Sequence, residues 1–213
     1  MAAPGDQSTG IPDVEKEPML LLDTTGSMNY PTSATDKTPR KDTIREAISL
    51  VVDALGAEDS QAGHEEEGGG LRTVTFADGQ AHDIGDLNPA NLSQKWGQIR
   101  WAGGTRIVPG WNTLIDTYQD EFGQEPPDQR PLLLGLVITD GEADDTERFA
   151  QTISTAGGGV YIVVALIGYG AEHDRALASY RAIESGNAHV KVITFASETN
   201  PQIIADSLLR MIA

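Results

Sequence analysis

Short, continuous runs of apolar residues constrain the fold of this chain more than any other feature. Four such runs cover residues 19–22, 132–139, 160–167 and 190–195. Runs of that length without polar alternation are typical of strands that are covered on both faces, as in a parallel sheet. Residues 72–76 alternate more between polar and apolar side chains, and we expect an additional strand there.

Segments with helical periodicity separate these runs. Apolar residues from Ile44 to Leu55 fall on one helix face, and Thr43 with Glu46 forms a capping-box pattern at its start. Further stripes are centred on Trp111, Phe149, Tyr180 and Leu208, and a weaker one covers residues 89–99. Strands that alternate with helices predict an α/β domain, in which helices cover both faces of a doubly wound, mainly parallel sheet.

The composition limits the classes of partner and of chemistry. The chain has 32 Asp and Glu against 15 Lys and Arg, so its formal charge is −17. Nucleic acids and anionic membrane surfaces would repel such a chain, and we expect neither as a partner. Cysteine is absent, which excludes disulfides, thiolate metal sites and cysteine nucleophiles.

The domain organisation follows from two polar stretches. Residues 1–17 are rich in Pro, Gly and acidic residues and predict a flexible head before a single domain at 18–213. Residues 56–70 are acidic and Gly-rich, and predict a long surface loop inside that domain. Neither a secretory signal nor a run of about 20 apolar residues is present, so we expect a cytoplasmic protein.

Polar residues that directly follow the apolar runs are the candidates for function, because ligands bind at the carboxyl ends of the strands in doubly wound sheets. Asp23, Thr25 and Ser27 follow the first run, and Asp140 follows the central run. Thr105 comes after two glycines and just before a predicted helix. The spacing of two lets the first three side chains point the same way.

These five residues are candidate metal ligands. Two carboxylates that lie close together repel each other unless a cation lies between them, and Mg²⁺ prefers oxygen ligands. Two simpler interpretations exist: Asp23-x-Thr25-x-Ser27 alone is also compatible with a capped turn, and Thr105 is compatible with an ordinary helix N-cap.

The pattern Asp23-x-Thr25-x-Ser27, followed by Thr105 and Asp140, resembles the metal-ion-dependent adhesion site of von Willebrand factor type A (VWA) domains. The common motif is Asp-x-Ser-x-Ser, and Thr25 replaces its first serine. The resemblance extends from about residue 18 to the end of the chain. It implies a six-stranded sheet with one antiparallel edge strand, and a bound Mg²⁺, or Mn²⁺ or Ca²⁺.

The resemblance also implies how the site would act. Hydroxyls like those of Thr25, Ser27 and Thr105 reach the metal directly or through water, and carboxylates like those of Asp23 and Asp140 often act through water. An Asp or Glu carboxylate from a partner protein then completes the coordination, in an interaction module that is not an enzyme. Residues that flank the site are candidate rim contacts for the partner: Met28, Asn29, Arg106 and Glu142.

One departure from the family pattern follows the first motif. Integrin-type members place acids after the motif Met to hold an adjacent ion, whereas Asn29 and Tyr30 follow Met28 here. We therefore expect no second ion beside the first.

A different class of protein has a related pattern. Asp23-Thr-Thr-Gly-Ser also resembles the phosphorylation motif of P-type ATPases in the haloacid dehalogenase superfamily, and Asp140-Gly-x-x-Asp144 resembles its later acidic motif. Asp23 would then be the nucleophile of a Mg²⁺-dependent phosphotransferase or phosphatase. Thr25 at the position of the general acid, and Lys95 as the nearest lysine upstream of Asp140, fit this scheme poorly. A third possibility is a domain with a vestigial metal site that binds by shape alone.

Overall fold

The computed structural model of the chain describes residues 10–61, 70–156 and 159–213. Within these residues, six strands and six α-helices follow one another. They are β1 (Lys16–Asp23), α1 (Arg40–Gln61), β2 (Leu71–Ala77), β3 (Gln80–Leu87), α2 (Leu92–Gln98), α3 (Val108–Phe122), β4 (Leu132–Thr139), α4 (Thr146–Ser154), β5 (Val160–Gly168), α5 (Gly170–Gly186), β6 (Val190–Ala196) and α6 (Pro201–Ile212). A short 3-10 helix (Gly26–Asn29) follows β1.

The strands form one sheet in the order β3-β2-β1-β4-β5-β6. β3 is antiparallel to β2, and the other neighbouring strands are parallel. This confirms the predicted fold class, including the antiparallel edge strand. The strand order reverses at β1, which pairs with β2 on one side and with β4 on the other. A doubly wound sheet binds its ligands at such a switch point.

The core consists of two apolar layers, one on each face of the sheet. Leu20 and Leu22 of β1 pack in the layer that contains α1 and α6, and Met19 and Leu21 pack in the layer of α3. Because successive side chains of a strand point to opposite faces, a strand covered on both sides is apolar throughout. Each such leucine stabilises the fold by about 2 kcal/mol, and together they hold the end of β1 rigidly.

Edges of several elements differ from the prediction. α1 begins at Arg40, so Thr43 is not its cap, and the capping-box prediction is wrong: the Thr43 hydroxyl is buried and shares a 3.0 Å hydrogen bond with that of Thr32. α1 also continues through Gln61 into the predicted loop at 56–70, while residues 62–69 lie outside the described part of the chain.

The start of the predicted domain and its edge strand differ from the prediction. Of the predicted head, residues 1–9 lie outside the described residues, and β1 begins at Lys16, which pairs with Leu132 of β4. β3 had no apolar run to predict it, because only one residue of this edge strand is buried. Within the described residues, no helix has the length and apolar composition that a membrane crossing requires.

Candidate metal centre

The two predicted carboxylates meet at the switch point of the sheet. Asp23 is the last residue of β1, and Asp140 directly follows Thr139, the last residue of β4. These strands are neighbours in parallel register, with Leu22 opposite Ile138. The sheet therefore brings together two acids that are 117 positions apart in the sequence.

Asp23 has no solvent exposure, and each of its carboxylate oxygens accepts a hydrogen bond. The backbone N–H of Thr25 donates to Oδ1 over 2.8 Å, and the hydroxyl of Thr139 donates to Oδ2 over 2.6 Å. Thr139 was not among the predicted site residues, although its place at a strand end beside Asp140 is a signal that could have found it. These two bonds fix the orientation of the Asp23 carboxylate.

Ser27 connects the motif on β1 to Asp140. Its hydroxyl donates to Asp140 Oδ1 over 2.8 Å and lies 3.1 Å from the hydroxyl oxygen of Thr25. The 3-10 helix sets this geometry, because its backbone turns back on itself between Thr25 and Tyr30. Four of the five predicted residues thus belong to one hydrogen-bonded group: Asp23, Thr25, Ser27 and Asp140.

Thr105 reaches this region through its backbone. The carbonyl of Gly103 accepts a 3.1 Å hydrogen bond from Gly26 N–H, and the carbonyl of Thr105 accepts a 2.8 Å bond from Asp144 N–H. Among the described residues, no hydrogen bond joins the Thr105 hydroxyl to the other four predicted side chains. The loop lies beside the site, while the role of this hydroxyl stays a prediction.

Two acids that the sequence did not single out hold the loop of Thr105. Asp78 Oδ1 accepts a 2.6 Å hydrogen bond from Gly104 N–H. The Asp145 carboxylate accepts bonds of 2.9 Å and 3.1 Å from the N–H groups of Ile107 and Val108. Asp145 therefore caps α3, so Thr105 is not needed as the N-cap of that helix.

Arg40 is the main feature of the site that sequence reasoning missed. Its Nη1 lies 2.6 Å from Asp140 Oδ2, and the two side chains are 8% and 0% exposed. The guanidinium also donates to the carbonyl of Pro31 over 3.3 Å and lies 5.9 Å from the ring centre of Tyr30. No local sequence pattern predicts this ion pair, because Arg40 and Asp140 are 100 residues apart.

The electrostatics of the site favour a cation near Asp23. Burial, followed by the negative charge of Asp140, raises the pKa of the Asp23 carboxyl to about 7, although the hydrogen bonds from Thr139 and Thr25 lower it. Arg40 compensates the charge of Asp140, and among the described residues no ion pair reaches Asp23. A positive charge placed beside Asp23 would remove the cost of ionising it.

Of the four predicted rim contacts, one is buried and three are exposed. Met28 is 0% exposed and packs in the core, so it offers no contact to a partner, and that prediction is wrong. Asn29 is exposed and donates to the carbonyl of Trp101 over 3.1 Å. Arg106 and Glu142 are also exposed.

The available donors fit a hard divalent cation. Within the described residues, no group of three or more His, Cys, Asp or Glu side chains gathers around a common point. A metal at this edge must therefore rely on hydroxyls together with the two carboxylates. All of these donors are oxygens, which are the ligands that Mg²⁺ and Mn²⁺ prefer. Copper and zinc sites, in contrast, are often built on Cys or His.

No protein-family model and no curated protein matches this chain. Solved structures do match it. A minor pilin, PilB from Streptococcus sanguinis, is 13% identical with a TM-score of 0.65, and the match covers 98% of this chain and 62% of that one. A von Willebrand factor type A protein from Catenulispora acidiphila is 19% identical with a TM-score of 0.58, over 94% of this chain and 42% of that one.

This chain has the von Willebrand factor type A fold. Manganese-loaded TRAP protein from Plasmodium vivax is also similar, at 15% identity and a TM-score of 0.59, over 93% of this chain and 74% of that one. The chain spans only 62% and 42% of the pilin and of the Catenulispora protein. The VWA fold accounts for the sheet order and for the position of Asp23 and Asp140 at the switch point.

The geometry disfavours the phosphotransferase alternative. The ammonium group of Lys95 donates to the backbone carbonyls of Ile84 and Asp86, over 2.6 Å and 3.0 Å. It is engaged with β3 rather than with Asp23.

Proposed function

We propose that this VWA domain is a metal-dependent protein–protein interaction module. A divalent cation, Mg²⁺ or Mn²⁺, would be held by Asp23, Thr25, Ser27 and Asp140, with Thr105 as a further ligand. An Asp or Glu carboxylate from a partner protein would complete its coordination. We assign no catalytic role to these residues.

One observation supports this proposal above all others, namely the hydrogen-bonded group that joins β1 to β4. Thr139 donates to Asp23, Ser27 donates to Asp140, and the Thr25 and Ser27 hydroxyl oxygens lie 3.1 Å apart. Two carboxylates and two hydroxyls converge at the ligand-binding edge of a doubly wound sheet. Hydrogen bonds within the protein fix these groups in advance, which reduces the entropy lost when a ligand binds.

The charge of the donor set explains why a carboxylate from outside would be attracted. Arg40 already compensates Asp140, so the two carboxylates and Arg40 together have one net negative charge. A divalent ion would leave the site with one net positive charge, which an Asp or Glu from a partner would neutralise. The match with a manganese-loaded protein of the same fold agrees with a cation at this edge.

Metal binding is tested first by calorimetry on protein that has been freed of divalent ions. We expect binding heat with Mg²⁺ and Mn²⁺, a large loss of affinity in Asp140→Ala and Ser27→Ala, and none in Asp128→Ala. Asp128 is an exposed acid that lies beside Arg130, away from the centre. Equal binding by all four proteins would contradict the assignment.

The external carboxylate is tested with Mn²⁺ as a paramagnetic probe. Water relaxation reports how many exchangeable waters the bound ion retains. Addition of a short peptide with one Glu should lower that relaxation, because a carboxylate replaces water on the ion. Unchanged relaxation at peptide concentrations that saturate binding would contradict completion by a partner.

The predicted cytoplasmic location stays a prediction.

A further inference from the structure

A groove lies directly beside the candidate metal centre. It has a volume of about 500 Å³ and runs between the β2–β3 hairpin and the segment from α2 to Ala102. Thr24, the neighbour of Asp23, lines one end of it, and His82 lines it on β3. The carbonyl of Thr24 accepts a 3.0 Å hydrogen bond from Ala102 N–H, so the groove and the metal centre share a wall.

The charge of the groove is opposite to that of the whole chain. Lys95 and Arg100 line it against one acid, Asp78, in a protein whose formal charge is −17. The exposed Arg100 forms no ion pair with any described residue. An exposed arginine without an ion pair in a strongly acidic protein is a candidate contact for an acidic ligand.

The acids near the groove are already occupied. Asp78 lines it, and its Oδ1 accepts the hydrogen bond from Gly104 N–H. Asp83 and Asp86 of β3 lie 2.6 Å and 3.9 Å from the guanidinium of Arg72. Asp78 keeps its negative charge, so Lys95 and Arg100 against Asp78 give the lining one net positive charge. Lys95 donates to the carbonyls of Ile84 and Asp86, which leaves Arg100 as the charged group for a ligand to pair with.

Basic side chains continue from the groove around the centre. Lys41 lies 5.8 Å from the ring centre of Trp101, the residue after Arg100, and donates to Asn29 Oδ1 over 2.7 Å. On the hairpin side, a Cβ atom added at Gly79 would lie 3.5 Å from Arg106 Cδ. We name the side chains of Lys41, Arg100 and Arg106, together with Lys95, the basic arc.

From this arrangement we infer that the partner presents an acidic extended segment. The inference rests on the proposed function: one Asp or Glu binds the metal, and further acids on one side of it lie in the groove along the basic arc. The groove lies on the side of the centre that is bounded by the β2–β3 hairpin and the segment from Lys95 to Ala102, so we expect acids on only one side of the ligating residue to contribute. A long polyanion fits less well, because the rest of a chain with charge −17 repels it.

The test uses three labelled synthetic peptides and fluorescence anisotropy in Mg²⁺. One has a single Glu among Ser and Gly, one adds a run of Asp before that Glu, and one adds the run after it. We expect one of the two flanked peptides to bind about tenfold tighter than the other two. This advantage should shrink when NaCl rises from about 50 mM to about 500 mM.

Arg100→Glu should reduce the advantage about tenfold while leaving the Mg²⁺ binding heat unchanged. Arg210→Glu is the control, because it makes the same charge change on exposed α6, in the last turn of that helix. Equal affinity for all three peptides, no binding of either flanked peptide, or an advantage that survives Arg100→Glu would overturn the inference. Tighter binding of labelled oligo-dT than of the best peptide would also overturn it.

The outcomes separate this inference from the proposed function. If EDTA leaves peptide binding unchanged, the metal bridge is wrong. If binding needs Mg²⁺ but ignores the flanking acids, only the role of the basic arc is wrong.

Discussion

Arg40 and Asp140 form a buried ion pair across the candidate metal centre, with 2.6 Å between Nη1 and Oδ2. The other oxygen of the same carboxylate accepts a hydrogen bond from the hydroxyl of Ser27. Arg40 is therefore an internal positive charge next to the place proposed for a divalent ion. A guanidinium and a divalent ion about 5 Å apart repel by about 7 kcal/mol at an effective dielectric constant of about 20.

Arg40→Met should destabilise the protein by about 3 kcal/mol in EDTA, because Asp140 is left buried without its partner. Saturating Mg²⁺ should reduce that loss, since the ion supplies the missing charge. By linkage, the variant should then bind Mg²⁺ more tightly, by about tenfold. Urea unfolding with and without Mg²⁺, together with calorimetry, measures both effects.

Arg45→Met is the matched control for Arg40→Met. Arg45 is exposed on the same helix and makes no ion pair with a described residue, so its loss should change neither quantity. An equal destabilisation of Arg40→Met in EDTA and in Mg²⁺ would show that the guanidinium only packs the site.

The stability of the metal-free protein should fall as the pH rises from about 4 to about 7. Burial and Asp140 raise the pKa of Asp23 from 3.8 to about 7 in the folded state. The folded protein therefore binds more protons than the unfolded chain in this window, and the stabilisation is complete below pH 4 and lost above 7. Mg²⁺ affinity should show the opposite trend, because the ion needs ionised Asp23.

The pH dependence of stability contains a contribution from Glu17 that must be distinguished from that of Asp23. Burial, then Glu121, Asp86 and Glu15, raise its pKa to about 7 as well, so it adds a slope of the same sign. Glu17 lies near the start of β1, remote from the centre at its end. Asp23→Asn should remove the pH dependence of Mg²⁺ binding and Glu17→Gln should not; the reverse result would place the titrating group at Glu17.

The central strands were predictable from the sequence because a strand buried on both faces is a continuous run of apolar residues. β4 and β5 are covered on both faces, and their apolar runs coincide with the strands to within one residue. β3 is an edge strand with only one buried residue, so its sequence has no continuous apolar run. Its hairpin did have a signal that was not used: Asp78-Gly79 is a two-residue turn with φ of 51° and 73°.

The candidate site was predictable only where it follows strand ends. Asp23, Thr25, Ser27 and Asp140 were found by that rule, and the structure brings them together. Met28 was placed wrongly on the rim, because the 3-10 helix turns it into the core one residue after Ser27. Arg40 and Asp145 act through contacts with distant segments of the chain, for which a single sequence has no local pattern.

Gly103→Ala should destabilise the protein by about 2 kcal/mol and weaken Mg²⁺ binding. Gly103 has φ of 96°, which strains any other residue, and an added Cβ would lie 2.2 Å from Asp78 Oδ2. Either the loop that holds Thr105 shifts, or the Asp78 side chain moves and gives up its hydrogen bond to Gly104 N–H. Gly104→Ala is the control, because its nearest neighbour would be 3.7 Å away. Thermal unfolding and calorimetry on both variants check this, and equal losses would contradict the close approach of Asp78.

Asp145→Ala should cost about 1–2 kcal/mol, because the N–H groups of Ile107 and Val108 lose the carboxylate that caps α3. Asp145→Asn keeps one acceptor oxygen and should recover part of that loss. The neighbouring Asp144 is exposed, and among the described residues its carboxylate accepts no hydrogen bond, so Asp144→Ala should be near neutral. Urea unfolding ranks the three variants.

The same variants test the role of Thr105, because α3 begins three residues after it. Mg²⁺ affinity should fall in the same order as stability. An affinity unchanged in a clearly destabilised Asp145→Ala would exclude Thr105 from the ligand set.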